Sequence, residues 1–410
     1  MTAHRIARLG HLGDGITENG LFAPFTLPGE EVEGAVSAGR IAEPRILTPS
    51  GNRVKAPCPH FRACGGCALQ HASDDFVANW KVEVVETALK AQGLQATFLP
   101  IAVSPPGARR RAVLAGKRTK KGAMVGLHGR ASDTIIAIPG CTLLHPAILA
   151  AIPALEGLTV LGASRKAVLA LSVTHSEGGL DLAVENGRPV DGPLLAQLGA
   201  FCASAGFARL AWNGEVIATI NPPVQSFGRA RVVPPPGGFL QATAHGQAAL
   251  TAGVQAALDG ATRVVDLFAG SGTFALALAD RAEIHAVESD AAALAALDRG
   301  WRQSPGLKVI TCETRDLFRR PLLADELARF DGVVIDPPRA GAEAQMRLLA
   351  QSQVPRIAVV SCNPVTFARD ASILAAGGYA LERIQVVDQF RWSVHIELVA
   401  GFVRCHIGSA

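Results

Sequence analysis

Cys362 ends the apolar run IAVVSC, Asp336 ends GVVID, and Glu397 follows His395 and Ile396 in HIELVAGF. A thiol and two carboxylates at the ends of apolar runs have the types needed for nucleophilic and proton-transfer chemistry. Val264-Val265-Asp266-Leu267-Phe268-Ala269-Gly270-Ser271-Gly272-Thr273-Phe274 reads as a strand, a glycine-rich turn and a helix start, where missing side chains let a ligand approach the backbone. Glu288 ends the next run about 20 residues on, where a carboxylate accepts hydrogen bonds from both hydroxyls of a ribose. In open α/β sheets ligands bind outside the carboxyl ends of the strands, so these side chains are expected along one edge. His395 and Glu397, two apart on an expected strand, would share a face. A lone thiol is also a common packing residue, and a nicotinamide site would share most of the glycine-turn geometry.

A second set of thiols lies upstream. Cys58-x5-Cys64-x2-Cys67 occupies a Pro- and Gly-rich loop, and rigid turns of that kind aim thiolates at one centre. Cys141, in Pro139-Gly140-Cys141, is the best candidate for a fourth ligand, and four thiolates permit zinc as well as iron. Cys202, Cys312 and Cys405 lack such context and read as packing residues. The opening MTAHRIARLG has no apolar signal core, which predicts a cytoplasmic protein in a reducing compartment, where disulfides are rare. The most apolar stretch, residues 146–164, contains Glu156, Gly157 and two prolines, predicting a buried helix and connector with no membrane contact.

Among the elements that must position these groups, residues 5–53 run as short β-type segments broken by glycine, which suits a small barrel. A helix is predicted over 73–92, with Ser73 as cap, Asp74 and Asp75 at its positive end, and Phe76, Trp80, Val84 and Ala88 on one face. The middle region reads as mixed α/β, and prolines 234–236 with Gly237 and Gly238 mark a seam. Beyond it strands and helices alternate, predicting a mostly parallel doubly wound sheet. The expected divisions are therefore 1–53, 54–236 and 237–410. Net charge is only +4, so affinity for a polyanion has to come from local clusters. Arg109, Arg110, Arg111, Lys117, Arg118, Lys120 and Lys121 form one, readable as an RNA-facing surface or as a solvated hairpin.

Three resemblances sharpen these readings. Asp266-x-x-x-Gly270-x-Gly272 resembles the first motif of class I methyltransferases, and an acidic residue before the glycines suits the cationic methionine end of S-adenosylmethionine. Leu9-Gly10, Gly13-Asp14-Gly15 and Thr26-Leu27-Pro28-Gly29-Glu30 resemble a TRAM domain, an OB-like RNA-binding module. Asp336-Pro337-Pro338-Arg339-Ala340-Gly341, Ser361-Cys362-Asn363-Pro364 with the following VTFARD, Val387-Asp388-Gln389-Phe390 and His395-Ile396-Glu397 together resemble the uracil-C5 RNA methyltransferase family. The likeness spans the catalytic third and, more loosely, the rest of the chain.

That resemblance implies an α/β chain: a Rossmann-like class I methyltransferase sheet over 237–410, an OB-like TRAM barrel over 1–53, and a central mixed α/β domain with an iron-sulfur loop over 54–236. It implies Cys362 as the nucleophile that adds to carbon 6 of uracil and Glu397 as the base that takes the proton from carbon 5. Gln241, Phe268, Thr273, Glu288 and Asp336 would contact S-adenosylmethionine, and Cys58, Cys64, Cys67 and Cys141 would hold a [4Fe-4S] cluster. Thr273 stands where Asn is common, and Arg391-Trp392-Ser393 replaces a frequent Pro-x-Thr. Cluster and TRAM together favour 23S rRNA over tRNA as the partner, with no obligate protein partner. A non-catalytic iron-sulfur RNA-binding protein is the alternative of another class, and intact Cys362, Glu397 and Asp336 speak against it. A radical enzyme would need Cys-x3-Cys-x2-Cys, which this chain lacks.

Overall fold

The C-terminal alternation builds one sheet, seen here in a computed structural model that describes residues 2–405. Its strands lie in the order Ile310–Thr314, Glu283–Glu288, Arg263–Leu267, Gly332–Ile335, Arg356–Ser361, Glu397–Arg404 and Tyr379–Asp388. The first five are parallel, and Glu397–Arg404 runs antiparallel to both neighbours. Because helices cover both faces, the strands are apolar on both, as parallel sheets require. Val265, Leu267, Val333, Ile335, Ile357 and Val359 enter one core, while the intervening Val264, Val334, Ala358 and Val360 enter the other. Each such Val or Leu contributes about 1.5–3 kcal/mol by leaving water, and together they hold the strand ends in register.

Helix Asp74–Lys90 lies against the first of these cores, with Ser73 Oγ accepting from the Phe76 N–H at 3.3 Å. The expected face is displaced. Val77, Trp80, Lys81, Val85 and Leu89 are the buried positions, because the helix is gripped on two sides. Val77 and Trp80 meet the N-terminal strands and the cysteine loop, whereas Val85 and Leu89 meet the catalytic sheet. Short strands Thr97–Phe98 and Ala102–Val103 then pair with Tyr379–Asp388. The catalytic sheet thus draws on residues from both sides of the division expected at 236/237.

Residues 111–219 form a separate sheet in the order Ile135–Ile136, Gly122–His128, Arg111–Thr119, Val168–Ser176, Gly179–Glu185, Phe207–Trp212 and Glu215–Thr219. The apolar stretch at 146–164 becomes helices Pro146–Ala150 and Ile152–Gly162, whose Leu155 and Leu158 are buried in this domain's core. Among the described residues no helix is long and apolar enough to cross a membrane. The N-terminal strands, from Ala3–Leu9 to Arg45–Thr48, wrap a small core of Ile6, Ala23, Val32 and Ile41. Asp14 joins them to the central sheet by accepting from Arg130 at 2.5 Å, besides Arg40 at 2.8 Å. Gly13 beside it has φ +82°, and a Cβ there would lie 2.9 Å from Val394, so glycine permits both the turn and the approach.

Candidate active site

Sheet topology alone brings the thiol and the carboxylates together. Parallel strands Arg263–Leu267, Gly332–Ile335 and Arg356–Ser361 end at one edge, where Phe268, Asp336 and Cys362 follow them directly. The antiparallel strand brings its beginning to that same edge. Its register pairs Leu398 with Ser361 and Glu397 with Val387, so Cys362 and Glu397 face one space across adjacent strands. Glu397 is 4% exposed, and burial, then the charge of Asp336, raises its carboxyl to about 8. Burial raises Asp336 to about 7. The Cys362 thiol is pushed up to about 11 by burial and by the charges of Glu397 and Asp336, with Arg339 opposing. His395 precedes the strand, since pairing begins only at Glu397; its ring meets Phe390 edge-on at 5.7 Å, and burial, then the charge of Arg339, which also acts on the Cys362 thiol, lowers it.

Gln389 organises the inner side of this site. Its Oε1 accepts from the Ala242 N–H at 2.8 Å, and its Nε2 donates to Gln241 Oε1 at 2.6 Å and Glu397 Oε2 at 3.0 Å. Gln241 is thereby placed beside the base, at the end of the Pro-Gly seam. Gln389 lies in the VDQF stretch, just beyond the strand that pairs with Glu397; that position is the sequence signal for it. The strand itself is anchored by Lys81, whose Nζ donates to Asp388 Oδ1 at 2.6 Å and to the Phe390 carbonyl at 3.2 Å. Lys81 is fully buried. A lysine in the i, i+4 row Val77, Lys81, Val85, Leu89 is the readable sign of a buried charge seeking a partner.

The glycine-rich turn forms the other half of the site. Phe268 has φ 63°, a left-handed conformation costly for a side chain of its size, and Gly270 has φ 53°. A Cβ at Gly270 would meet nothing within 4 Å, so the turn faces open space. Its N–H donates to Glu288 Oε2 at 3.0 Å, while Glu288 Oε1 accepts from the N–H groups of Ser289 and Asp290. Asp266 Oδ2 accepts from the Ala275 N–H at 2.9 Å, but its buried Oδ1 has no partner, and burial with the charges of Asp336 and Glu288 raises its carboxyl well above the usual range. An unpaired buried carboxylate oxygen beside two further carboxylates is a site for a cation, and the open turn gives it access. These residues fit a ligand with a positive end and a ribose. Thr273 is half-buried in the same turn.

The basic cluster divides in two. Arg110 is buried and donates to the Gln241 carbonyl at 3.1 Å and to Gln247 Oε1 at 2.7 Å, and Arg111 donates to the Leu240 carbonyl at 3.1 Å. Arg109 lies over Phe390 at 5.6 Å. Burial pulls all three arginines below their usual range, Arg110 to about 10. Arg110 and Arg111 clip the central sheet to the catalytic site, and Arg109 and Arg111 are half-buried, whereas Lys117, Lys120 and Lys121 at the hairpin tip are exposed.

Cys58, Cys64 and Cys67 share one loop, and Cys141 enters from another that His60 Nε2 ties to it through the Pro139 carbonyl at 2.6 Å. Cys67 is pushed up to about 12 by burial and by the thiols of Cys141, Cys64 and Cys58, and Cys64 is raised by burial and by Cys141 and Cys58. All four thiols therefore stand within electrostatic reach of one another. Among the described residues no three His, Cys, Asp or Glu are gathered tightly enough to hold a single metal ion.

The family model described as tRNA (Uracil-5-)-methyltransferase matches residues 309–403, which hold Asp336, Cys362 and Glu397. The chain is 45% identical over 398 residues to an uncharacterized RNA methyltransferase of Brucella suis, covering 96% of each. It is 33% identical over 424 residues to the 23S rRNA (uracil(1939)-C(5))-methyltransferase RlmD of Chromohalobacter salexigens, covering 96% of this chain and 87% of the relative. The fold matches that of a Pyrococcus abyssi tRNA (uracil-54, C5)-methyltransferase solved with S-adenosyl-L-homocysteine, at TM-score 0.77 and 23% identity, over 98% of this chain and 99% of that one. With nearly the whole chain and the edge residues accounted for by these likenesses, the chain belongs to the uracil-C5 RNA methyltransferase family.

Proposed function

We propose that this protein methylates carbon 5 of a uridine in 23S rRNA, with Cys362 as nucleophile and Glu397 as base. The observation that carries the reading is the register that pairs Ser361 with Leu398 and so sets Cys362 beside Glu397, with Asp336 ending the adjacent strand. Bound at the glycine turn, S-adenosylmethionine supplies a methyl group on a cationic sulfur. Asp266, Glu288, Phe268, Thr273, Gln241 and Asp336 are the residues we assign to hold it, the orphaned Asp266 oxygen meeting its positive end.

Carbon 5 of uracil is a weak nucleophile. Cys362 releases its proton to water and forms a bond from sulfur to carbon 6, and the electrons of the carbon 5–carbon 6 double bond move into an enolate that makes carbon 5 nucleophilic. Once carbon 5 carries the methyl group, Glu397 takes its proton, the double bond re-forms, and the Cys362 thiolate leaves. Burial keeps Glu397 basic enough to do so near neutral pH. The target has to leave its stack to reach an edge lined by these side chains.

For the substrate, the 33% identical relative is named for 23S rRNA and the structural neighbour, at 23%, for tRNA. The four-thiol set supports the first. We assign Cys58, Cys64, Cys67 and Cys141 to a [4Fe-4S] cluster that braces their loops, and the N-terminal strands to a TRAM-type RNA contact.

The two catalytic roles separate experimentally. Cys362→Ala is expected to give neither methylation nor adduct, while Glu397→Gln methylates and accumulates protein joined to RNA, seen as a heat-stable shifted band on a denaturing gel. An adduct formed by Cys362→Ala would reassign the nucleophile, and wild-type turnover by Glu397→Gln would reassign the base. Mapping 5-methyluridine in 23S rRNA and tRNA from cells with and without the gene decides the substrate.

A further inference from the structure

Gln389 stands at the centre of the buried polar network without touching the thiol or the glycine turn. The Ala242 N–H can only donate, so the Gln389 atom 2.8 Å from it is the oxygen. Its nitrogen is then the atom facing Gln241 Oε1 at 2.6 Å and Glu397 Oε2 at 3.0 Å, and both amide hydrogens are used. The Ala242 N–H as a fixed donor and the Glu397 carboxylate as an acceptor leave the amide a single orientation, to which the Gln241 amide conforms. We infer that Gln389 is a positioning residue for proton removal: by engaging Glu397 Oε2 it makes Oε1 the oxygen that takes the proton from carbon 5.

The inference rests on Glu397 being the base and deepens that reading. In the step it governs, the carbon 5–hydrogen bond breaks and its proton goes to Glu397 Oε1. The electron pair restores the carbon 5–carbon 6 double bond, and the carbon 6–sulfur bond breaks with its electrons returning to Cys362. The amide is itself held from both sides. Asp388 before it is locked to Lys81, and a Cβ at Gly246 would lie 2.6 Å from Gln389 Cβ, so the neighbouring helix Ala244–Ala257 presses directly on the side chain.

A donor to a carboxylate favours its ionised form, and Gln389 opposes the rise that burial imposes on Glu397. The other groups facing Glu397 are Asp336 and Cys362, with Arg339 beyond the thiol and acting on His395 as well; Asp388 is neutralised by Lys81. Without the amide donor, the base is ionised only at higher pH.

The test compares Gln389→Leu, and Gln389→Met as an unbranched substitute of similar length, with the wild type on two RNAs. RNA carrying 5-fluorouridine at the target traps the enzyme after thiol addition and methyl transfer, because fluorine is not removed as a proton. With S-adenosylmethionine at saturation, so that loosening of Gln241 is compensated, we expect the trapping rate to stay within about twofold of wild type while turnover on uridine falls about tenfold at neutral pH, a modest part of what general-base catalysis supplies. The acid limb of the turnover profile moves to higher pH, and adduct builds up on ordinary RNA. Equal falls in trapping and turnover, or an unmoved acid limb, overturn the inference. Should Gln389→Leu fail to bind S-adenosylmethionine by calorimetry, the Met variant decides. A wild type that is not trapped by 5-fluorouridine RNA would instead sink the covalent mechanism itself.

Discussion

At the scale of single residues, the site holds more negative charge than an empty cavity tolerates. Asp336 is raised to about 7 and Glu397 to about 8, chiefly by burial, and Asp266 lies well above the usual carboxylate range for the same reason. Below these values the carboxyls are neutral and attract a cation weakly; above them they are charged. Affinity for S-adenosylmethionine is therefore expected to rise between about pH 6 and 8, by at most about tenfold per unit for each carboxyl that ionises on binding. S-adenosylhomocysteine has a neutral sulfur, so its affinity should rise less steeply. Calorimetry of both ligands across that range checks the difference, and parallel slopes would assign these carboxyls to the ammonium group that both ligands carry instead of the sulfonium.

At the scale of elements, helix Asp74–Lys90 and the cysteine loop brace the segment that carries the base. Lys81 and Asp388 form a buried pair, in which burial lowers the lysine and the carboxylate opposes that fall without cancelling it. Removing one partner of such a pair leaves an uncompensated buried charge, so Lys81→Met is expected to destabilise the fold by about 3–5 kcal/mol. Adding Asp388→Leu should recover much of that loss in denaturant unfolding. The N–H groups of Ala68 and Leu69, next to Cys67, donate to the Trp392 carbonyl at 2.8 and 2.9 Å, so the thiol loop supports the same segment. Protein purified without oxygen is expected to be brown with about four irons per chain. Cys64→Ser should lose iron and thermal stability, and zinc in place of iron in anaerobic protein would refute the cluster.

At the scale of the whole molecule, the small net charge leaves RNA attraction to local features, and tertiary packing divides the basic cluster between two tasks. Lys117, Lys120 and Lys121 form the exposed hairpin tip, while Arg109, Arg110 and Arg111 are engaged beneath it. Replacing the three lysines by Gln should flatten the salt dependence of RNA binding by roughly 0.7–0.9 log units for each phosphate that is no longer neutralised. An unchanged slope would assign the tip to solvent. The N-terminal strands and the cysteine loop meet the catalytic segment at Val394, in one apolar cluster with Leu9, Leu27 and Leu69.

The amino-acid sequence by itself determines much of this arrangement. Periodicity and strand-end placement identify the parallel sheet, the glycine turn and the edge on which Asp336 and Cys362 lie, because those features are local and repeat along the chain. The cap at Ser73 and the helix after it are equally local. The partner of each buried charge is not legible in this way. The pairing of Lys81 with Asp388 spans 307 positions and that of Ala242 with Gln389 spans 147, and hydrogen bonds of that reach exist only once the sheets have packed. The same holds for Arg110 and Arg111, whose composition is that of an RNA-binding patch and whose hydrogen bonds to Gln241, Gln247 and Leu240 form only when one domain docks on another. His395 and Glu397 alternate like strand neighbours in sequence, but the ladder starts at Glu397, so tertiary pairing takes in the base and not the histidine.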